Sequence, residues 1–154
     1  MKRHPALIAL SQDHHHGLAL ALRCRKQSLG QLKPMGAEGL RARAKEFRDF
    51  FSTNLIRHFR AEEEIIFPLL TAGSTQARSM IEELLADHQR IRSTERSLET
   101  ESGLAKLLFD AGDLLERHIR REERELFPLI EERLELENSD AVRERIDEIL
   151  GRKD

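Results

Sequence analysis

RHFRAEEEIIFPLL at 57–70 and RHIRREERELFPLI at 117–130 align without gaps and are identical at eight of fourteen positions. Each carries H-x-x-x-E, His58 with Glu62 and His118 with Glu122. On an α-helix, residues four apart share one face a single turn apart. Reading outward, the first copy sits on a stripe of Phe47, Phe51, Leu55, His58, Glu62, Ile65 and Leu69, and the second on Leu108, Ala111, Leu115, His118, Glu122 and Leu129. That recurrence is helical rather than alternating. A weaker echo links SQDHHHGL at 11–18 with LADHQRIR at 85–92 through Asp13-His14 and Asp87-His88. The chain therefore reads as two helix pairs, each carrying D-H and then H-x-x-x-E.

Turn residues between these stretches are few and clustered, and they set the expected boundaries. The first helix is expected to start after Ser11, read as its N-cap, and to run to about 28 with Leu18, Ala21, Leu22 and Arg25 at helical spacing. Gly30, Pro34, Gly36 and Gly39 mark a connection, followed by a second helix over about 40–70. After a break at 71–74, a third helix covers roughly 75–99 through Ile81, Leu84, Leu85, His88 and Ile91. Ser102-Gly103 interrupts it, and a fourth runs over about 104–136. Phe67-Pro68 and Phe127-Pro128 mark kinks or ends, because proline cannot donate to the carbonyl four residues back. Asn138-Ser139-Asp140 caps a short fifth helix over about 139–150. The expected fold is all-α: an up-down-up-down antiparallel four-helix bundle over about 11–136 plus the short C-terminal helix, in a single domain spanning 1–154. Helices of this length leave room for a central site between apolar layers.

Composition narrows the function. The 26 Lys+Arg against 28 Asp+Glu leave a net charge of -2, which argues against a nucleic-acid partner. Cys24 is the only cysteine, so no intrachain disulfide forms. No apolar run approaches a membrane span, and the N-terminus is too short in apolar residues for a secretory signal, so a cytoplasmic, soluble protein is expected. Trp and Tyr are absent, which excludes chemistry through their radicals.

A charged carboxylate on an apolar stripe is costly unless it is paired or metal-bound. His14 and His88 fall on the core stripes of the first and third helices, so four histidines and two glutamates converge at the bundle centre. Imidazole plus carboxylate suits iron, manganese or zinc, and two carboxylates among four helices can bridge two metals. The metal-ligating set is His14, His58, Glu62, His88, His118 and Glu122. A lone core histidine is more often a hydrogen-bonded structural residue, but duplication of the whole pattern favours a site. Other residues are ordered lower. His15 and His16 point about 100° and 200° away from His14 and read as rim residues, with His15 the candidate for a supplementary ligand. His4 reads as terminal and Cys24 as inert. Glu63, Glu64, Glu123 and Glu125 read as solvated face, although Glu63 and Glu123 recur in both copies and stand within reach of a metal or of a ligating histidine. Asp13 and Asp87 are either orienting acceptors for histidines or surface carboxylates.

From Asp13-His14 through H58-x-x-x-E62 and Asp87-His88 to H118-x-x-x-E122, the chain resembles the hemerythrin-like cation-binding domains, called HHE domains. The resemblance implies a bundle holding two iron ions, Fe2+ or Fe3+, with His14, His58, His88 and His118 as terminal ligands, Glu62 and Glu122 as bridges, and an oxo or hydroxo bridge; manganese or zinc is the alternative metal. The oxygen-carrying members are similar to a five-histidine design with HxxxH on the third helix, where this sequence has H88-Q-R-I-R92, and with an aspartate after the last histidine, where it has Glu122. Reversible oxygen carriage is therefore not expected. The resemblance implies binding or sensing of dioxygen, nitric oxide or a related small oxidant rather than an enzyme. The rivals are a redox enzyme acting on nitric oxide, peroxide or damaged iron–sulfur clusters, and a metal-dependent interaction module. Cluster-repair proteins of this kind carry an N-terminal cysteine-containing segment, which the sequence as it stands does not match.

Overall fold

The structure, a computed structural model, describes residues 2–100, 102–136 and 138–151. Those residues form helices and turns, with no strand among them. The chain enters through a 3-10 turn, Pro5–Leu7, whose Ala6 N–H donates to His4 Nδ1 at 3.0 Å. α1 follows as Ile8–Ser28. The expected start after Ser11 is thus corrected: Pro5 needs no partner for a missing N–H and His4 supplies the cap, so helix forms earlier. Ser11 lies inside α1 and its hydroxyl donates to Glu123 Oε2 at 2.8 Å.

The expected stripe of α1 is corrected in part: Ala21 is buried and Leu18 packs against the core, but Leu22 and Arg25 do not lie on the buried face. Its buried face runs through Leu10, Asp13, His14, Gly17, Leu20, Ala21 and Cys24, while Leu22 is exposed. Small residues define this face because the helix over 104–134, α4, packs directly on it. A Cβ on Gly17 would lie 2.7 Å from Ile119, and one on Gly112 would lie 2.6 Å from the Ala21 carbonyl oxygen. Since Gly17 meets Ile119 while Ala21 and Cys24 meet Gly112, α1 and α4 run antiparallel. Gly112→Ala should therefore destabilise the protein by roughly 1–2 kcal/mol, the backbone clash outweighing the helix propensity gained. Urea denaturation checks this, and a wild-type midpoint would refute it.

α2 spans 36–69: an α-helical stretch Gly36–Phe50, a π-helical turn Phe51–Leu55, a further α-helical stretch Ile56–Ala61, a second π-helical turn Glu62–Ile66 and a closing 3-10 turn Phe67–Leu69. It begins four residues before the expected Leu40. Gly39, read as part of the connection, belongs to its first turn, where a Cβ would sit 1.8 Å from the Pro34 carbonyl. α3 is Thr75–Ser97, with the Ser74 hydroxyl accepting from the Ala77 N–H, and it ends two residues short of the expected 99. α4 spans 104–134, as Leu104–Arg121, a π-helical turn Glu122–Leu126 and Phe127–Leu134. α5 is Ser139–Leu150; Asn138 accepts from the Ala141 N–H, and Gly151 at φ +75° ends the helix. Its Val142 and Ile146 pack into the core around Leu7 and Leu10.

The prolines do something other than simply stop helices. Pro68 and Pro128 cannot serve the carbonyls of Glu64 and Arg124. In each copy the preceding phenylalanine N–H reaches back five residues, Phe67 to the Glu62 carbonyl and Phe127 to the Glu122 carbonyl. Each copy thus has a widened turn that begins on the glutamate of H-x-x-x-E. α2 ends just beyond, whereas α4 continues as an α-helix to Leu134.

Two apolar clusters flank the middle of the molecule. One gathers Leu10, Ile66, Leu84, Leu126, Phe127 and Ile130; the other gathers Leu20, Phe47, Phe59, Ile91, Leu108 and Leu115. The buried histidines and glutamates lie between them. No helix among the described residues is long and apolar enough to cross a membrane.

Candidate metal centre

His14 projects from α1, His58 and Glu62 from α2, His88 from α3, and His118 and Glu122 from α4; each is at most 2% exposed. The structure brings all six together. His14 Nε2 lies 2.9 Å from Glu122 Oε1 and 3.0 Å from His58 Nε2, which is itself 3.3 Å from Glu62 Oε2. On the other side His88 Nε2 lies 3.1 Å from Glu62 Oε1, and His118 Nε2 lies 3.4 Å from Glu122 Oε2. The donors form two groups, His14, His58, Glu62 and Glu122, and Glu62, His88, His118 and Glu122, whose ligand atoms lie within 4.8 Å of one another. Metal–ligand bonds of roughly 2.0–2.2 Å place ligands of one ion at most about 4.4 Å apart, so modest inward movement completes either group.

The outward nitrogen of every imidazole meets a carboxylate. His58 Nδ1 lies 3.1 Å from Asp13 Oδ2, and His118 Nδ1 lies 3.1 Å from Asp87 Oδ2. His14 Nδ1 lies 2.6 Å from Glu123 Oε2, and His88 Nδ1 lies 2.6 Å from Glu63 Oε2. Such partners fix the tautomer and direct all four Nε2 lone pairs at the centre. Asp13 and Asp87 are thus orienting acceptors. For Glu63 and Glu123 the solvated-face reading gives way to the alternative that their recurrence left open, since each meets a core histidine. Glu64 and Glu125 do face solvent, paired with Arg60 and Arg121.

Inside this ring, Glu62 Oε2, Glu122 Oε2 and His118 Nε2 are buried without a hydrogen-bond partner. An unmet buried polar atom costs about 1–3 kcal/mol, so these three call for an electrophile. Oxygen and imidazole donors suit iron, manganese or zinc. The residues present therefore fit a metal centre. Burial and the adjacent Glu122 push the Glu62 carboxyl well up from its ordinary range. At His118 burial acts downward, but Glu122 and Asp87 outweigh it and raise the imidazole to about 10. His14 and His88 are raised in the same way, by Glu122 with Glu123 and by Glu62 with Glu63. Without a metal, this cluster holds protons where a cation would sit.

Three histidines stay outside. His15 and His16 are exposed on α1, and His4 caps the entry turn. His16 lines an open cleft of about 470 Å³ with Arg23, Glu46 and Asn54, among others, and none of the six core residues borders it. His16→Ala should leave metal content and melting temperature at wild-type values. Damage as severe as that of His14→Ala, seen by metal analysis and calorimetry, would contradict this. Cys24 is fully buried, and burial pushes its thiol up to about 12, which makes it a poor nucleophile.

Comparisons with curated proteins and with solved structures found no match. The family model for the hemerythrin HHE cation binding domain matches residues 6–130, a span that contains all six core residues and the four carboxylates that orient them. With its buried histidine–glutamate group able to bind metal, the chain belongs to the hemerythrin HHE cation-binding domain family.

Proposed function

We propose that the chain is a non-haem di-iron protein that binds or senses dioxygen, nitric oxide or a related small oxidant, with His14, His58, His88 and His118 as terminal ligands and Glu62 and Glu122 as bridges. One observation carries this reading: both glutamates belong to both donor groups, and each group is completed by its own pair of histidines. Shared carboxylates with separate imidazoles are the arrangement that two adjacent ions need. Two imidazoles and two carboxylate oxygens would hold each ion, fewer donors than an octahedral ion takes, so a small ligand could be added there. Bound iron supplies the ligand affinity and the electron transfer. The chain supplies orientation through four outer carboxylates and exclusion of water through the two apolar clusters. Enclosure on this scale favours a diatomic or similarly small ligand.

Metal analysis of the purified protein should give a metal-to-chain ratio near two, and a ratio near zero or one would overturn the reading. Titrating the reduced, iron-loaded protein with nitric oxide or dioxygen should give a saturable spectral change, unobstructed in the near ultraviolet because Trp and Tyr are absent. Repeated consumption of the ligand would make the protein an enzyme instead.

A further inference from the structure

Two arginines stand behind the carboxylates that orient His88 and His14. Glu63 Oε2, which meets His88 Nδ1 at 2.6 Å, also accepts from Arg92 Nη2 at 3.1 Å. The same guanidinium lies over the Phe59 ring, 5.5 Å from its centroid, and Phe59 stacks on His88 with centroids 3.9 Å apart and planes 13° apart. Arg92 therefore reaches one imidazole by two routes, through its carboxylate and through its stacking partner. In the other half, Glu123 meets His14 Nδ1 through Oε2 and Arg3 Nη2 through Oε1 at 3.1 Å. Arg3 lies 5.4 Å from the centroid of the Phe127 ring, and Phe127 stacks on His14 at 5.3 Å and 19°.

The duplication accounts for only part of this likeness: Glu63 and Glu123 are counterparts, and Phe67, the counterpart of Phe127, also stacks on His88 with centroids 5.6 Å apart. Arg92 follows His88 by four residues, and the residue four after His14 is Leu18; the counterpart of Phe59 in the second copy is Ile119. The two halves share the orienting carboxylate by duplication, but the arginine and the ring beneath it come from positions that do not correspond.

We propose that Arg92 and Arg3 are positioning residues for the metal centre, each sharing the carboxylate that orients one imidazole and lying over the ring stacked on it, and so moderating how strongly His88 and His14 donate to a bound metal. The proposal rests on the metal-binding reading above. A carboxylate that accepts an imidazole N–H strengthens that imidazole as a ligand. A guanidinium on the same carboxylate draws charge away from it and opposes that strengthening. The cation over the aromatic face acts in the same sense. Arg92 has the larger influence, because it shares the very oxygen that meets His88. Arg3 takes the opposite oxygen of Glu123 and divides its charge with Glu131 at 2.8 Å. Arg90 also pairs with an orienting carboxylate, Asp87, at 2.9 Å, but its side chain is 65% exposed, where water screens it.

The test is the reduction potential of the iron-loaded protein, followed spectroscopically, in Arg92→Gln, Arg92→Lys, Arg3→Gln and Arg90→Gln, each checked for two bound irons and for its melting temperature. Arg92→Gln should move the potential to more negative values, since stronger imidazole donation and a lost positive charge both favour the ferric state. Arg3→Gln should move it the same way by less. Arg92→Lys, which keeps the charge without the planar fork, should fall between Arg92→Gln and wild type, and Arg90→Gln should match wild type. A purely structural role would lower melting temperatures without this ordering of potentials. A wild-type potential in Arg92→Gln and Arg92→Lys with two irons bound, or a shift in Arg90→Gln as large as in Arg92→Gln, would overturn the proposal alone. A wild-type protein that takes up no iron would overturn the metal-binding reading and the proposal with it.

Discussion

Glu62→Ala should empty both metal positions at once, taking the metal-to-chain ratio from near two to near zero, whereas His58→Ala should leave a ratio near one. The asymmetry follows from membership: Glu62 belongs to both donor groups, His58 only to the one it shares with His14. Stability should follow occupancy. A metal held at a hundred times its dissociation constant adds about 2.7 kcal/mol per site, and each kcal/mol moves the melting temperature of a domain of this size by about 2–4 °C. The gap in melting temperature between metal-loaded and metal-free protein should therefore vanish in Glu62→Ala and be roughly halved in His58→Ala. His118→Ala should resemble His58→Ala, since it removes one donor from the other group. Metal analysis with calorimetry on loaded and stripped protein reads all of this. Wild-type metal content in Glu62→Ala would remove the shared-carboxylate centre.

A second large effect is expected from pH. In the metal-free fold, His118 is raised from 6.5 to about 10. The folded state thus keeps a proton that the unfolded chain releases, so this group's stabilisation is full below about pH 6.5 and is lost as pH climbs towards 10. Glu62 acts in the same direction, because its raised carboxyl stays protonated in the fold at pH values where the unfolded chain, with an ordinary value of 4.5, has ionised. Glu63 and Asp87 act oppositely. The His88 hydrogen bond lowers Glu63, while at Asp87 burial acts upward but is outweighed by His118. Their contribution is present above the ordinary carboxylate range and is lost only in acid. Between about pH 6.5 and 9 the metal-free protein should accordingly lose a few kcal/mol, an order-of-magnitude figure from the His118 shift. Bound metal takes over the role of the protons, so the loaded protein should show little such loss and its affinity should rise over the same interval. Denaturation of both forms at about pH 6 and 9 checks this. A metal-free protein more stable at the higher pH would refute it.

Much of the centre could be read directly from the order of residues, because what placed it there is local. His58 and Glu62, like His118 and Glu122, share a helical face at any place where a helix forms, and the apolar residues on the same stripe require that face to be inside. The duplicated pattern and the Asp-His pairs then located the four histidines on four helices. Other features depended on which helix lies against which. The side chain of Leu22 is as apolar as those on the inner face of α1, yet it is exposed, while Leu18 packs at the edge of the core; the close approach of α4 at Gly17, Ala21 and Gly112 set which face turned inward. Glu63 and Glu123 sit one residue beyond a buried glutamate, where helical geometry alone points a side chain towards water. They became partners of His88 and His14 because a neighbouring helix brings an imidazole there, 25 residues away in one case and 109 in the other. Arg92 and Arg3 reach the same carboxylates from still other segments. Periodicity along a helix records its own inner face, and contacts between helices distant in sequence leave no such periodic mark, so the six core residues were legible in the chain, the four outer carboxylates stood there only as candidates, and which imidazole each meets was decided by the tertiary packing.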